Sequence, residues 1–359
     1  METVPPFYER YALTLIAICL TIFFLIMGSN IFIPLVFALI FSILLYPLAR
    51  LFENKLHLGR FLSALLPVLI LITCVFAFVF FLTKEMVNFS QDFPELKKRM
   101  SDIFSDLQHW ISKEFHVNTR QQQDYLNKST TNILANAANS ISSFFISFAG
   151  FALWIIFVFL YTFFIIYYRK LLLKFILYLF DDKHSQNVHE VVAESRTMIY
   201  SYISGLLIEM AIVGIANCTI FSIMGIKYAI LLGIIAAVLN IIPYLGIYTA
   251  TALIMLVTFA NSTGNSALSV GIALLSVHLI DANILMPRIV GSRVKMNAFI
   301  TIIAVIVGEY VWGISGMFLF IPITGIFKII SSRVEGMKPW AILIGTEEKE
   351  EAPRRKSKK

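Results

Sequence analysis

The chain has 359 residues, 58% of them hydrophobic and only 14% charged, and its mean hydropathy is +0.80. That balance excludes a soluble domain and predicts an all-α integral membrane protein with several spans. The net charge of +7 does not point to nucleic acid, because much of it lies in the stretch Arg354-Arg355-Lys356-Ser357-Lys358-Lys359, and basic segments are what a cytoplasmic location produces.

Residues 1–83 read as N-terminal transmembrane helices. Residues 1–10 lack a basic signal-peptide region, and no small-residue cleavage site follows residues 11–27, so that run is expected to stay as a first helix. Gly28-Ser29-Asn30 forms a turn, and residues 31–48 return as a second, antiparallel helix. Residues 61–83 form the third span. Residues 84–142 are polar and predict a small helical extramembrane insertion. In it Asp92 and Pro94 mark a helix start, and Leu96, Met100, Ile103, Leu107, Trp110 and Ile111 recur on one helix face. Such an insertion is too thin to bury a core alone. Its His109 and His116 sit on an ordinary helix surface, without metal-ligand spacing.

Residues 143–200 hold a fourth span, 144–168, and a linker. Arg169, Lys170 and Lys174 accompany the apolar stretch 171–180, too short to span and interfacial in character. A charged helix over 181–199 leads into a fifth span, 202–224. In that span Glu209 lies about two turns from the start and is expected to reach the interface. Residues 201–335 form a C-terminal transport core, and residues 336–359 a basic cytoplasmic tail. Cys19, Cys74 and Cys218 fall inside apolar runs and read as small buried hydrophobes, with no spacing for a metal site or disulfide.

The core carries three interruptions. Leu239-Asn240-Ile241-Ile242-Pro243-Tyr244-Leu245-Gly246 breaks one apolar run, and Gly308-Glu309-Tyr310-Val311-Trp312-Gly313-Ile314-Ser315-Gly316 breaks another. Between them, His278, Asp281, Asn283, Pro287 and Arg288 place polar and ionisable groups in a third. Broken backbone at membrane depth is tolerated only where protein or a water-lined cavity satisfies it, and paired interruptions point to a transporter's binding site. Kinks and helix contacts are the plainer reading of the glycines and prolines.

Basic residues set the orientation. Arg50, Lys55, Arg60, Arg169, Lys170, Lys174, Arg288, Arg293 and Lys295 share the cytoplasmic side if the run 228–260 folds back at Pro243–Gly246. Residues 228–241 would make a helix of roughly 21 Å, short of the roughly 30 Å hydrocarbon core. The expectation is therefore about six full spans plus two opposed re-entrant helical hairpins, both termini cytoplasmic and the insertion outside. Counting each arm as a crossing gives eight to ten spans, and charge placement does not separate the two.

These residues resemble the C-terminal signature of the autoinducer-2 exporter (AI-2E) family of bacterial permeases. The carrying motifs are Leu239–Gly246, Asp281-Ala282-Asn283-Ile284-Leu285-Met286-Pro287-Arg288-Ile289-Val290-Gly291, and Trp312-Gly313-Ile314-Ser315-Gly316-Met317-Phe318-Leu319-Phe320-Ile321-Pro322. Tyr202 with Gly205 fits as well. The resemblance implies a multi-span, homo-oligomeric permease of the bacterial inner membrane, with members linked to autoinducer-2 (quorum-sensing) export and others to sodium–proton exchange. Leu206, Glu309 and Asp281 depart from the residues usual at those positions.

The candidate site comprises Asn240, Pro243, Tyr244, Gly246, His278, Asp281, Asn283, Glu309, Trp312, Gly313, Ser315 and Gly316. Ionisable groups in apolar helix must face protein or water. His278 and Asp281, three residues apart, share a helix face and can share a proton, hold a monovalent cation, or simply fix helix packing. Asn240, Tyr244, Asn283 and Ser315 offer neutral hydrogen bonds to a small polar solute. The expected picture has the two hairpin tips meeting near the membrane midplane beside His278 and Asp281. No cofactor, metal, catalytic residue or nucleic-acid partner is expected. Walker, zinc and dinucleotide motifs do not occur, and Gly313-Ile314-Ser315-Gly316 only superficially resembles a rhomboid-protease nucleophile, since no histidine follows His278. The alternatives to a solute permease are a cation–proton antiporter and a non-transporting membrane scaffold.

Overall fold

The computed structural model describes residues 6–91, 98–99, 105, 113, 153–180, 184–243, 245–261, 264–291 and 295–346. Nearly all of these are helical. The helices are α1 (Phe7–Met27), α2 (Ser29–Asn54), α3 (Arg60–Gln91), α4 (Leu153–Tyr167), α5 (Arg169–Tyr178), α6 (Ser185–Ile223), α7 (Ala229–Asn240), α8 (Leu245–Asn261), α9 (Gly264–Ile280), α10 (Ala298–Arg333) and α11 (Lys338–Ile344). Among the described residues, six helical runs are long and apolar enough to cross a membrane, and the chain bends by 72° between α4 and α5. The molecule is a multi-span helical membrane protein.

Several boundaries differ from expectation. Gly28 alone separates α1 from α2, because its amide already caps α1 on Phe24 O and Ser29 is helical. The third span runs on through Lys84 to Gln91, since nothing in that stretch breaks a helix. The remainder of the expected insertion, with its helix start at Asp92, lies outside the described residues except for isolated positions. The charged linker and fifth span are one helix of 39 residues, roughly 58 Å long, because no Pro or internal break separates its polar first turns from its apolar remainder.

The chain divides into two compact units. One comprises Met1–Leu44, Tyr168–Glu209 and Ala282–Lys359, the other Leu45–Tyr167 and Met210–Asp281. In the second unit, Phe221, Leu232, Ala236, Ile247, Ala250, Ile254, Val270 and Leu274 form a core joining α6, α7, α8 and α9. A second cluster of Leu45, Ala49, Ala64, Val68 and Ile166 packs α2, α3 and α4. Small residues recur in these seams, as expected where helices associate by close packing rather than by expulsion of water. The outward faces carry Phe76, Phe80, Ile215 and Ile272, all well exposed, a surface suited to lipid and not to water. Cys19 and Cys74 also lie on exposed faces, and Cys218 is half-buried. For Cys19 and Cys74 the apolar surroundings in sequence therefore reflect an outward face, not a core, whereas Cys218 packs on α7 beside Gly233.

In the first unit α10 is not straight. Trp312 (φ −135°, ψ 17°) and Gly313 (φ 60°, ψ −142°) leave helical geometry, and the two arms, 298–311 and 314–333, fold back on each other. Ends of this hairpin are tied by residues beyond it. Asn297 caps the first arm by accepting from the Ile300 amide at 2.9 Å, and its Nδ2 donates to Leu343 O (2.7 Å) and Gly345 O (3.0 Å). An antiparallel bridge, Met296 to Gly345, completes the clasp.

Candidate functional site

The site in the second unit is built from α7, α8 and α9. Pro243 lacks an amide hydrogen and disfavours helical geometry in the residue before it. Accordingly α7 ends at Asn240, and its last carbonyls are taken by a tight turn: Ile241 N donates to Val238 O (3.2 Å) and Ile242 N to Leu239 O (2.9 Å). The chain then reverses into α8. Gly246 makes the reversal possible, because a Cβ there would fall 1.8 Å from Leu239 O. Arms α7 and α8 have 12 and 17 residues, or roughly 18 and 26 Å, each shorter than the roughly 30 Å hydrocarbon core.

Helix α9 then returns to the tip and ends at Ile280. The next residue, Asp281, opens two consecutive π-helical turns, Asp281–Leu285 and Pro287–Gly291, a widened backbone often found at functional positions. Asp281 is only 3% exposed. Its Oδ2 accepts a hydrogen bond from Asn240 Nδ2 at 2.9 Å. A carboxylate can only accept, which fixes the Asn240 amide with its NH2 end inward. Among the described residues, Asp281 Oδ1 and His278 Nδ1 are buried without a hydrogen-bond partner. A half-satisfied buried carboxylate is costly. The arrangement can take up a proton, a cation or a donor group at Oδ1, one helical turn from an imidazole nitrogen.

In the first unit the α10 tip brings Gly308 and Gly316 into backbone contact. Trp312 is buried, and its indole N–H donates to Leu25 O at 2.9 Å, which ties the tip to the last turn of α1. Its ring meets Phe320 edge-on, 5.6 Å between centroids. Glu309 and Asn283 are exposed, and Gly313 and Ser315 are half-buried. Tyr244 lies outside the described residues. Of the candidates, then, Asn240, Pro243, Gly246 and Asp281 gather at the α7–α8 tip with His278 one turn before Asp281 on α9, while Trp312, Gly313 and Gly316, with Gly308 opposite, shape the tip of α10. Among the described residues no group of three or more His, Cys, Asp or Glu could hold a metal ion.

Three buried polar groups stand outside the candidate set. Glu209 is 6% exposed, a carboxyl covered by protein on the apolar part of α6. Asn217 and Thr258 are almost fully buried in the second unit. Their signal was available, for each is a polar residue inside a long apolar run.

Comparison with known proteins finds transport proteins. YueF of Bacillus subtilis (strain 168), whose name gives transport as an assumed role, is 25% identical over 85% of this chain and 84% of its own length. The AI-2 transport protein TqsA of Escherichia coli (strain K12) is 22% identical, covering 90% of this chain and 92% of its own. YrrI of Bacillus subtilis (strain 168) is 33% identical over 36% of each chain. The profile of the AI-2E family transporters matches residues 13–336, and the chain belongs to that family.

Proposed function

We propose that this transporter is a gradient-driven permease for a small polar solute or signal of the bacterial inner membrane, with Asp281 as its coupling charge. One observation carries the reading: Asp281 is buried at a hairpin tip with one oxygen held by Asn240 and the other buried without a hydrogen-bond partner. A charge at the bilayer centre costs roughly 2.5–3.5 kcal/mol on insertion scales, so its retention calls for a use. The α7 helix also ends at this point, and a helix C-terminus favours positive charge. No nucleotide motif supplies another energy source. The name of TqsA makes autoinducer-2 the first solute to test.

The test is transport by the purified protein in proteoliposomes, with autoinducer-2 and a panel of small hydroxylated solutes under imposed pH or sodium gradients. Asp281→Asn keeps size and one hydrogen-bond acceptor but removes the charge. It should abolish gradient-driven accumulation and leave downhill exchange. Accumulation at the wild-type rate would overturn the assignment.

Cation–proton exchange is the second reading, favoured by two buried atoms without hydrogen-bond partners, Asp281 Oδ1 and His278 Nδ1, on residues one helical turn apart. It differs in predicting proton movement under a sodium gradient with no solute present. A membrane scaffold, by contrast, would tolerate Asp281→Asn in every transport assay. The homo-oligomer and the cytoplasmic termini belong to the same proposal; cross-linking in membranes and reporter fusions at each end test them.

A further inference from the structure

The short helix α5 has two different apolar sides. Leu173, Ile176 and Leu177 are half-buried, whereas Leu171, Phe175, Tyr178 and Leu179 are exposed, between 61% and 77% of each. At 100° per residue the exposed four occupy one continuous stripe. Lys170 and Lys174, four residues apart, form a row along one edge of that stripe, and Lys174 Nζ sits 5.5 Å from the centre of the Tyr178 ring. No residue of α5 is buried. The helix has 10 residues, roughly 15 Å, half of what a crossing needs.

An apolar stripe of this kind is badly placed in water, and a lysine row beside it is badly placed in hydrocarbon. Only the boundary between them suits both. We infer that α5 lies in the membrane interface, with Leu171, Phe175, Tyr178 and Leu179 in the acyl boundary and Lys170 and Lys174 holding the phosphates of anionic phospholipids. Charge complementarity selects the lipid: two ammonium groups at headgroup depth favour an anionic surface over a zwitterionic one. The tyrosine at the far end is the residue type enriched at that depth. Such a helix anchors the hinge between the fourth and fifth spans to the bilayer surface, and makes its position responsive to lipid charge.

Depth-dependent fluorescence quenching tests this on the full chain in lipid nanodiscs. Phe175→Cys is labelled with bimane in a background carrying Cys19→Ser, Cys74→Ser and Cys218→Ala, with a wild-type size-exclusion profile as the entry criterion and Leu171→Cys as the alternative site. Phosphatidylcholine spin-labelled high on the acyl chain should quench most, and lipid labelled near the chain end least. Strongest quenching from the chain end would mean that α5 completes a crossing, and quenching only by aqueous iodide would mean a solvated helix. Little quenching by either would mean a protein-covered stripe. Each of those three outcomes overturns the proposal. For the lipid class, spin-labelled phosphatidylglycerol should quench more than the phosphatidylcholine analogue. Lys170→Gln with Lys174→Gln should reduce that preference at least about five-fold. Equal quenching by the two lipids in the unsubstituted helix would overturn the anionic-lipid assignment.

Discussion

Gly316 lies so close to Gly308 that a Cβ on Gly316 would fall 1.8 Å from Gly308 O, and a Cβ on Gly308 2.3 Å from Gly316 O. Eight residues along one straight helix would separate these atoms by roughly 12 Å. Their contact therefore defines the α10 hairpin and shows why both positions are glycine: the obstacle is backbone and cannot swing aside. Gly316→Ala should lower the thermal midpoint of the detergent-solubilised protein, at an overpacking cost of about 1–3 kcal/mol. Gly59→Ala, where a Cβ meets nothing within 4 Å, is the control and should leave the midpoint unchanged.

Asn240 and Asp281 should behave as a unit. Asn240→Ala removes the donor and leaves a buried carboxylate oxygen unsatisfied, at a cost of about 1–3 kcal/mol. With Asp281→Ala already present, the same substitution should cost much less. A double-mutant cycle on unfolding midpoints measures the difference, and strict additivity would mean that the bond contributes nothing.

The Trp312 indole is the polar tie between the α10 tip and α1. Trp312→Phe keeps an aromatic ring and loses the N–H, so the Leu25 carbonyl loses its donor. Stability should fall by about 0.5–1.5 kcal/mol. Amide hydrogen exchange should rise selectively in the last turn of α1; a uniform rise across the protein would instead indicate a general packing defect.

Arg333 in the last turn of α10 pairs with both Glu190 and Glu194, one turn apart on the polar start of α6. The Gln186 amide, at 3.0 Å, and then the Arg333 guanidinium hold the Glu190 carboxyl below its usual range. Its contribution is thus present at neutral pH, persists below the ordinary glutamate value, and is lost as pH falls through the lowered one. Glu190→Gln should reduce the thermal midpoint slightly at pH 7 and not at all once the wild-type carboxyl is protonated. High salt should shrink the difference, because the pair is solvent-exposed.

Much of this architecture is legible in the residues. Pro243 with Gly246, and Gly308 with Gly316, announce two reversals, since an apolar run has no other reason to carry breakers so close together. Asp281 stands out because a charge in apolar helix is expensive. What the residues do not reveal is pairing. Asn240 is 41 residues from Asp281, and their bond depends on how far α7 runs before Pro243 stops it and on where α9 ends. Trp312 is 287 residues from its acceptor at Leu25, a backbone oxygen that no side-chain pattern marks. Glu209 is 6% exposed, and its burial depends on which helices cover that face of α6, which the apolar run around it does not reveal.

The clasp at Asn297 has a consequence for how the protein is made. Its two carbonyl partners lie 46 and 48 residues further along the chain. At translation rates of roughly 5–20 residues per second, they emerge roughly 2–10 s after Asn297 itself. During that interval the base of the hairpin is open and the Asn297 amide hydrogens lack these two acceptors. Locking is therefore a late event in biogenesis, dependent on synthesis through Gly345, and the unlocked hairpin is the form that insertion machinery and quality-control proteases would meet first.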